Sequence, residues 1–283
     1  MRKEKRYDLH MHTSASDGRL SPRQCVELAI KQGLSGIAVT DHDTVAGVAE
    51  GVEAGNELGL EVIPGVEIST SAYGEDVHVL GLWVDYNDAT FQSRLSFNRD
   101  TRMRRNLLII GKLRELGFDV HLEEAERIAR ERRADGSVSV GRPHIAELLV
   151  RKGIVETVQE AFDTYLGDGG KAYVAAERIS PEEEVQWIGE AGGIAVLAHP
   201  GLYRNAERIV GRLAGRVDGI EAAHADHDEI LERMYRRIAA DAGLAVSAGS
   251  DFHGIRDGVP YHAMLGSRSV DEDEFRNLKY MLR

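Results

Sequence analysis

Short apolar runs alternate with longer stretches of helical period over the first third and the last two fifths of the chain. Gly36 to Thr40, Leu60 to Ile63, Asp76 to Trp83, Gly193 to Ala198, Gly219 to Ala222 and Leu244 to Ser247 read as strands. Between them lie segments with helix punctuation. Ser21-Pro22 opens one, with serine as N-cap and proline at the first helical position. It runs to about Gln32, and Gly33 closes it. Val45 to Leu58 is a second, closed by Gly59; Ser180-Pro181 opens another; Arg208 to Leu213 and Asp226 to Ala240 complete the set.

The pattern changes from about Phe91 to Leu166, where no segment has strand character. Leu107, Leu108, Ile110, Leu113 and Leu116 predict one long helix, and Glu123 to Arg132, His144 to Arg151 and Val155 to Tyr165 predict shorter ones. Alternation returns at Tyr173. Strands alternating with helices imply a parallel sheet or a barrel. The expected organisation is therefore an α/β parallel sheet or barrel built from residues 1–91 and 173–283, with residues 92–172 as a helical insertion.

Composition adds limits. The chain has 283 residues, 42% hydrophobic and 29% charged, as in an ordinary soluble protein. A formal net charge of -12 argues against nonspecific nucleic-acid binding. The one cysteine, Cys25, excludes an intramolecular disulfide, suits a reducing compartment and is expected in the core. Met1 to Arg6 is charged and lacks the apolar stretch of a signal peptide. No run approaches a membrane span. The expectation is a cytoplasmic protein without a membrane partner.

Candidate chemistry begins at Tyr7-Asp8-Leu9-His10-Met11-His12, read as a strand entering the polar loop Thr13 to Gly18. Alternate side chains of a strand share a face, so His10 and His12 point the same way, as two imidazoles gripping one ion must. Asp8, in the same phase, is expected to orient one imidazole from behind. His42, Glu67, His199, Asp251 and His253 fall at the C-terminal ends of other strands, where such folds keep their active sites; His78 lies within its strand. Taken together they predict a polynuclear metal site. Imidazoles with carboxylates suit manganese, iron or zinc. Asp41 and Asp43 read as orienting groups or helix caps.

The motifs Asp8-Leu9-His10-Met11-His12, Thr40-Asp41-His42-Asp43, Pro64-Gly65-Val66-Glu67, Ala198-His199-Pro200 and Gly249-Ser250-Asp251-Phe252-His253 resemble, in order, those of the PHP (polymerase and histidinol phosphatase) family of phosphoesterases. The resemblance implies a distorted (β/α)7 barrel holding two or three divalent ions, manganese ahead of zinc or iron. It implies that His10, His12, Glu67 and Asp251 hold the first ion. Glu67 would bridge to a second, completed by His78 and His199; Asp17, His42 and His253 would hold the third. Two ions about 3.5–4 Å apart clamp a phosphoryl oxygen and supply a nucleophilic water near neutral pH.

The insertion and Gly141-Arg142-Pro143-His144 resemble a subgroup of nucleotide phosphatases. That implies a small nucleotide substrate, a nucleoside 3',5'-bisphosphate losing its 3'-phosphate, with short RNA ends as a related target. Cyclic phosphates or another small phosphomonoester such as histidinol phosphate are the alternatives, and a silent metal-binding regulatory domain is the rival of another class. Family members often carry Tyr-x-Pro-x-His after the strand ending at Glu221; this chain has Ala223-His224-Ala225-Asp226-His227. His227 is expected to protonate the leaving alcohol beside the catalytic ligand Asp251.

The substrate's charge needs cations. Arg99, Arg102 and Arg105 recur every third residue along the long helix. Arg99, Arg102, Arg142, His144, His227 and Lys171 are the expected substrate contacts, because arginine forks suit phosphate oxygens. Arg142 and Lys171 would stabilise the developing charge. Glu131-Arg132-Arg133 reads as a solvated helix end, and His121 and His262 as surface or structural residues.

Overall fold

The strand-helix alternation folds as a nearly closed sheet. In the computed structural model, residues 4–131, 140–174, 179–256 and 258–282 are described. The strands are β1 (Arg6–Asp8), β2 (Gly36–Val39), β3 (Glu61–Ala72), β4 (Glu75–Leu82), β5 (Ile194–Leu197), β6 (Gly219–His224), β7 (Ala245–Gly249), β8 (Ile255–Arg256), β9 (Val259–Pro260) and β10 (Val270–Asp271). The helices are α1 (Pro22–Lys31), α2 (Val48–Leu58), α3 (Ala89–Glu115), α4 (Leu122–Arg130), α5 (Arg142–Arg151), α6 (Val158–Ala161), α7 (Pro181–Glu190), α8 (Ala206–Leu213), α9 (Glu229–Ala242) and α10 (Glu272–Tyr280). Ser21 and Ser180 both complete capping boxes with Pro at the first turn.

Sheet order is β10-β1-β2-β3-β4-β5-β6-β7. β1/β2, β2/β3, β5/β6 and β6/β7 pair in parallel. β4 departs from the expected alternation and runs antiparallel to both β3 and β5. The cause is local. No helix separates β3 from β4; Tyr73 and Gly74 join them, both with positive φ, in a tight hairpin. β3 also continues without a break through Pro64, where the sequence pattern had placed a boundary.

The seam between first and last barrel strands forms past the end of β1, against the end of β7 and the residues that follow it. β1 stops at Asp8, earlier than expected. Leu9 N then donates to Ala248 O at 3.0 Å, Asp251 N to His10 O at 2.9 Å, and His12 N to Phe252 O at 2.8 Å. Met11 and Phe252 form a parallel bridge. Gly249 is required here: a Cβ on it would stand 2.1 Å from the Cβ of His10. The residues that close the barrel thus carry the candidate ligands.

Leu9, Ile63, Leu80, Val196, Ala223 and Ala248 belong to one buried apolar cluster, which α10 completes through Phe275, stacked on Tyr7 at 3.8 Å. A larger cluster joins the sheet to α1, α2, α7, α8 and α9 and contains Cys25, whose thiol burial pushes up. Residues of the helices between β4 and α7 form a third cluster, with Ile109 and Leu113 of α3, Ala125 and Ile128 of α4, and Ile145 and Leu149 of α5. Phe91 and Leu95, at the start of α3, pack in the barrel's cluster instead. α3 is therefore anchored at one end in each core. The helix expected over Val155 to Tyr165 is one turn, α6, continued by a π-helical turn over Phe162–Leu166. Arg132 and Arg133 lie outside the described residues. No helix among the described residues is long and apolar enough to cross a membrane.

Candidate metal centre

Glu67, in β3, sits in the middle of five imidazoles. Its Oε1 lies 2.7 Å from Nδ1 of His78 and 3.0 Å from Nε2 of His199. Its Oε2 lies 2.9 Å from Nδ1 of His42, 3.2 Å from Nε2 of His12 and 3.5 Å from Nε2 of His10. Asp251, just past β7, faces the same floor: Oδ1 is 3.0 Å from Nε2 of His12 and 3.4 Å from Nε2 of His10. Asp17, from the loop after β1, meets Nε2 of His253 at 3.4 Å and Nε2 of His42 at 3.8 Å. Asp17, His42 and His253 come together with His12 added; Glu67 gathers His10, His12, His78 and His199, and Asp251 reaches His10 and His12. His42 faces two of these carboxylates, with one ring nitrogen toward Glu67 and the other toward Asp17.

The donor set fits divalent ions. His10 Nε2, both ring nitrogens of His12, His42 Nδ1, Glu67 Oε2, His199 Nδ1 and Asp251 Oδ1 are buried and make no hydrogen bond. Orphaned polar atoms at this density are costly unless something coordinates them. Burial pulls the His10 imidazole down, but Glu221, Asp251 and Glu67 outweigh it and hold it well above the usual histidine range. His12 is raised to about 10: burial opposes the rise, and Asp251 and Glu67 overcome it. Burial raises Glu67, yet the imidazoles of His42, His78 and His10 hold it well below the ordinary carboxylate range. Asp251 is likewise held low against burial, chiefly by His10 and His253. A cation that displaces the protons takes over the same attraction.

Several carboxylates hold the floor in place. Asp8 does not orient an imidazole, contrary to expectation. It accepts from the backbone N–H of His10 at 3.3 Å, Ser250 at 3.0 Å and Gly266 at 2.8 Å, and from the Ser250 hydroxyl. It is a clasp across the barrel seam, and burial raises its carboxyl to about 6. The orienting role belongs to Glu221 of β6, which accepts from Nδ1 of His10 at 3.0 Å and from the backbone N–H of His199 at 2.7 Å. Asp41 accepts from Thr13 N, the Thr13 hydroxyl and the Ser16 hydroxyl, fixing the loop that carries Asp17. Asp43, at positive φ, accepts from Ser69 N and from Arg102.

A cavity of about 540 Å³ opens over this floor. Its walls include Arg102, Arg105 and Arg142, with Val158, Phe162 and Leu202 as apolar surface and Tyr261 and His262 at another side. Arg102 and Arg105 are buried, not part of a solvated face. Arg142 pairs with Asp76, and Arg105 approaches the same carboxylate at 3.9 Å.

Four expected substrate contacts fall elsewhere. Arg99 reaches back to the carbonyl of Asp43 at 2.8 Å and is not among the cavity walls. His144 is buried, and its Nδ1 accepts from Gly141 N at 3.0 Å, so it caps α5. Lys171 is exposed and lies over the Tyr165 ring at 5.8 Å. His227 is also corrected. It is buried, Nδ1 donates to Ala222 O at 2.8 Å, and Nε2 accepts from Gly201 N at 3.0 Å. Both nitrogens are committed to backbone, which leaves no proton for a leaving group. His262, read from sequence as surface or structural, lines the cavity instead. Its Nε2 lies 3.0 Å from Asp226, and the imidazole is raised to about 9 because Asp226 and Asp251 outweigh burial.

Residues 8–131 match the PHP domain. A 5'-3' exoribonuclease of Haemophilus influenzae is 38% identical over 254 residues, covering 88% of this chain and 90% of that protein. A 3',5'-nucleoside bisphosphate phosphatase of Chromobacterium violaceum is 34% identical over 258 residues, covering 89% and 88%. The crystal structure of a Bifidobacterium adolescentis protein described as a putative metal-dependent phosphoesterase aligns with a TM-score of 0.85 at 33% identity, covering 97% of this chain and 96% of that one.

Proposed function

The chain belongs to the PHP family of metal-dependent phosphoesterases, and from that premise we propose that it removes the 3'-phosphate of a nucleoside 3',5'-bisphosphate. The observation that carries this reading is the pairing of two features in one cavity. The floor holds Glu67 and Asp251 among their imidazoles, and the wall holds Arg102, Arg105 and Arg142. The floor suits the reacting phosphoryl group, and the wall suits a second phosphate one ribose away. The volume is within the range of small-ligand sites.

His10, His12, Glu67 and Asp251, Glu67 with His78 and His199, and Asp17 with His42 and His253 would hold two or three divalent ions, manganese first among them. When bound, such ions polarise the phosphoryl oxygens and activate water near neutral pH. The protein's own groups do the rest. Glu221 fixes the His10 ring so that Nε2 faces the floor. Arg102 is held by Asp43 and Ser69, and Arg142 by Asp76, so both arrive preorganised for anionic oxygens. His262, oriented by Asp226 and lining the same cavity, is the group we assign to protonate the leaving 3'-oxygen.

The 38% identity to a 5'-3' exoribonuclease favours a second reading. A 5'-phosphorylated RNA end presents the same 5'-phosphate and the same 3'-phosphoryl ester, with a nucleotide as leaving group. The deciding experiment supplies manganese and compares a nucleoside 3',5'-bisphosphate, nucleoside monophosphates, cyclic phosphates, histidinol phosphate and a 5'-phosphorylated oligoribonucleotide. Highest kcat/KM on the bisphosphate supports the first reading. Release of mononucleotides from the oligomer at higher efficiency replaces it with the second.

A further inference from the structure

β6 and β7 pair in parallel, and their register slips between Glu221 and Ala223. Ala222 is the extra residue of a bulge. In an unbroken strand Glu221 and Ala223 would share a face, and His224 would point to the other. The bulge reverses the phase and re-aims the strand end. Glu221 and His224 therefore both reach the metal centre. His224 is fully buried; its Nε2 lies 3.5 Å from Oδ2 of Asp251 and makes no hydrogen bond.

A buried imidazole nitrogen in that place is either a ligand or a proton donor. The opposite nitrogen decides. His10 presents Nδ1 to Glu221, and His253 presents Nδ1 to the carbonyl of Asp251 at 2.8 Å. Both partners only accept, so Nδ1 carries the proton and Nε2 keeps its lone pair for a cation. His224 is wired the other way. The backbone N–H of Asp226 donates to its Nδ1 at 3.2 Å. With Nδ1 accepting, the ring's proton sits on Nε2, which then has no lone pair left to give an ion.

We infer that His224 is a positioning residue for Asp251, not a tenth ligand of the centre. Its Nε2–H faces Oδ2 and restrains the carboxylate. Oδ1, buried and without a hydrogen bond, is thereby turned toward the nitrogens of His12 at 3.0 Å and His10 at 3.4 Å. Asp251 would thus offer a cation Oδ1 alone, and His224 would act on it without itself being a ligand.

The inference rests on the metal-dependent reading above, and calorimetric titration of manganese into the chelator-stripped full chain separates the two. His224→Gln places an amide N–H near the position of Nε2, His224→Asn places it near Nδ1, and His224→Phe removes it. Loss of an outer partner of this kind costs about ten- to a hundredfold in metal affinity, so His224→Phe and His224→Asn should fall by about tenfold or more and His224→Gln by no more than about threefold, with the ion count at saturation unchanged. Loss of one bound ion in every variant would make His224 a ligand and overturn the inference. Equal affinity in all variants would make it a filler and overturn it too. Melting curves of the metal-free variants check the fold; should the phenylalanine variant not fold, the glutamine and asparagine pair decides. Absence of manganese binding by the unmodified chain would refute the metal-dependent reading itself, whereas normal binding there with unchanged variants refutes only the role of His224.

Discussion

Nδ1 of His10 lies 3.0 Å from Oε1 of Glu221, across 211 positions of the chain. Both side chains are fully buried. The same carboxylate takes the backbone N–H of His199 at 2.7 Å, so one residue sets the direction of two candidate ligands. Glu221→Ala should therefore weaken manganese binding by about ten- to a hundredfold while the barrel stays folded. Titration of metal into stripped protein, with far-UV circular dichroism as control, reads the outcome. Unchanged affinity would return the orienting role to another group.

Glu67→Ala should do more. Glu67 meets imidazoles with both oxygens, two on Oε1 and three on Oε2. Water in its place cannot keep the spacing between ions on either side. The expected result is an unchanged circular dichroism spectrum, loss of bound metal by elemental analysis, and loss of turnover. A folded, metal-loaded variant with near-normal turnover would remove the bridging role from Glu67.

Arg142→Ala tests the wall. A charged hydrogen bond to the remote phosphate is worth about 1.5–3 kcal/mol, or about ten- to a hundredfold in efficiency. The variant should lose that factor on a 3',5'-bisphosphate and far less on a phosphomonoester without the second phosphate. The ratio of kcat/KM for the two substrates cancels general damage to the floor. An equal loss on both would place Arg142 at the reacting phosphate or in the fold, where its pair with Asp76 already has a structural part.

Metal affinity should rise with pH. In the metal-free protein His12 is raised to about 10, so at neutral pH it carries a proton that an arriving ion must displace. The sign for stability is opposite in the two forms. A raised histidine stabilises the metal-free fold below its unfolded value of about 6.5, and that contribution is lost as pH rises through about 10. The rise in Tm on adding manganese should accordingly be larger at pH 8 than at pH 6. A shift that does not grow between those two values would show that protons and ions do not compete at this floor.

Much of the centre was legible because a strand end is a local feature. His10, His12, His42, His199 and Asp251 each follow the end of a strand, and parallel strands deliver their C-terminal ends to one place, whereas Glu67 lies within β3. The helix starts at Ser21 and Ser180 were legible for the same reason, since a cap and its proline are neighbours in sequence. Asp8 was misread because strand phase says which face a side chain takes and not which partner waits there. It found the Ser250 and Gly266 backbone across the seam.

The sequence by itself determined the alternation of strands and helices, the run of helices after β4 and the residue types that meet at the floor, because these rest on period, punctuation and position within a few residues. Tertiary structure alone decided which groups face one another. The reversal of β4 follows from a hairpin at Tyr73 and Gly74 in place of a crossover helix, and the approach of His224 follows from a one-residue slip against β7. The inward burial of Arg102 and Arg105, the outward path of Lys171 and the locking of His227 between Ala222 and Gly201 depend on packing between distant segments. A single sequence carries no signal for such contacts, since the free energy that selects them comes from burial and hydrogen bonding across the whole barrel and not from the residues on either side.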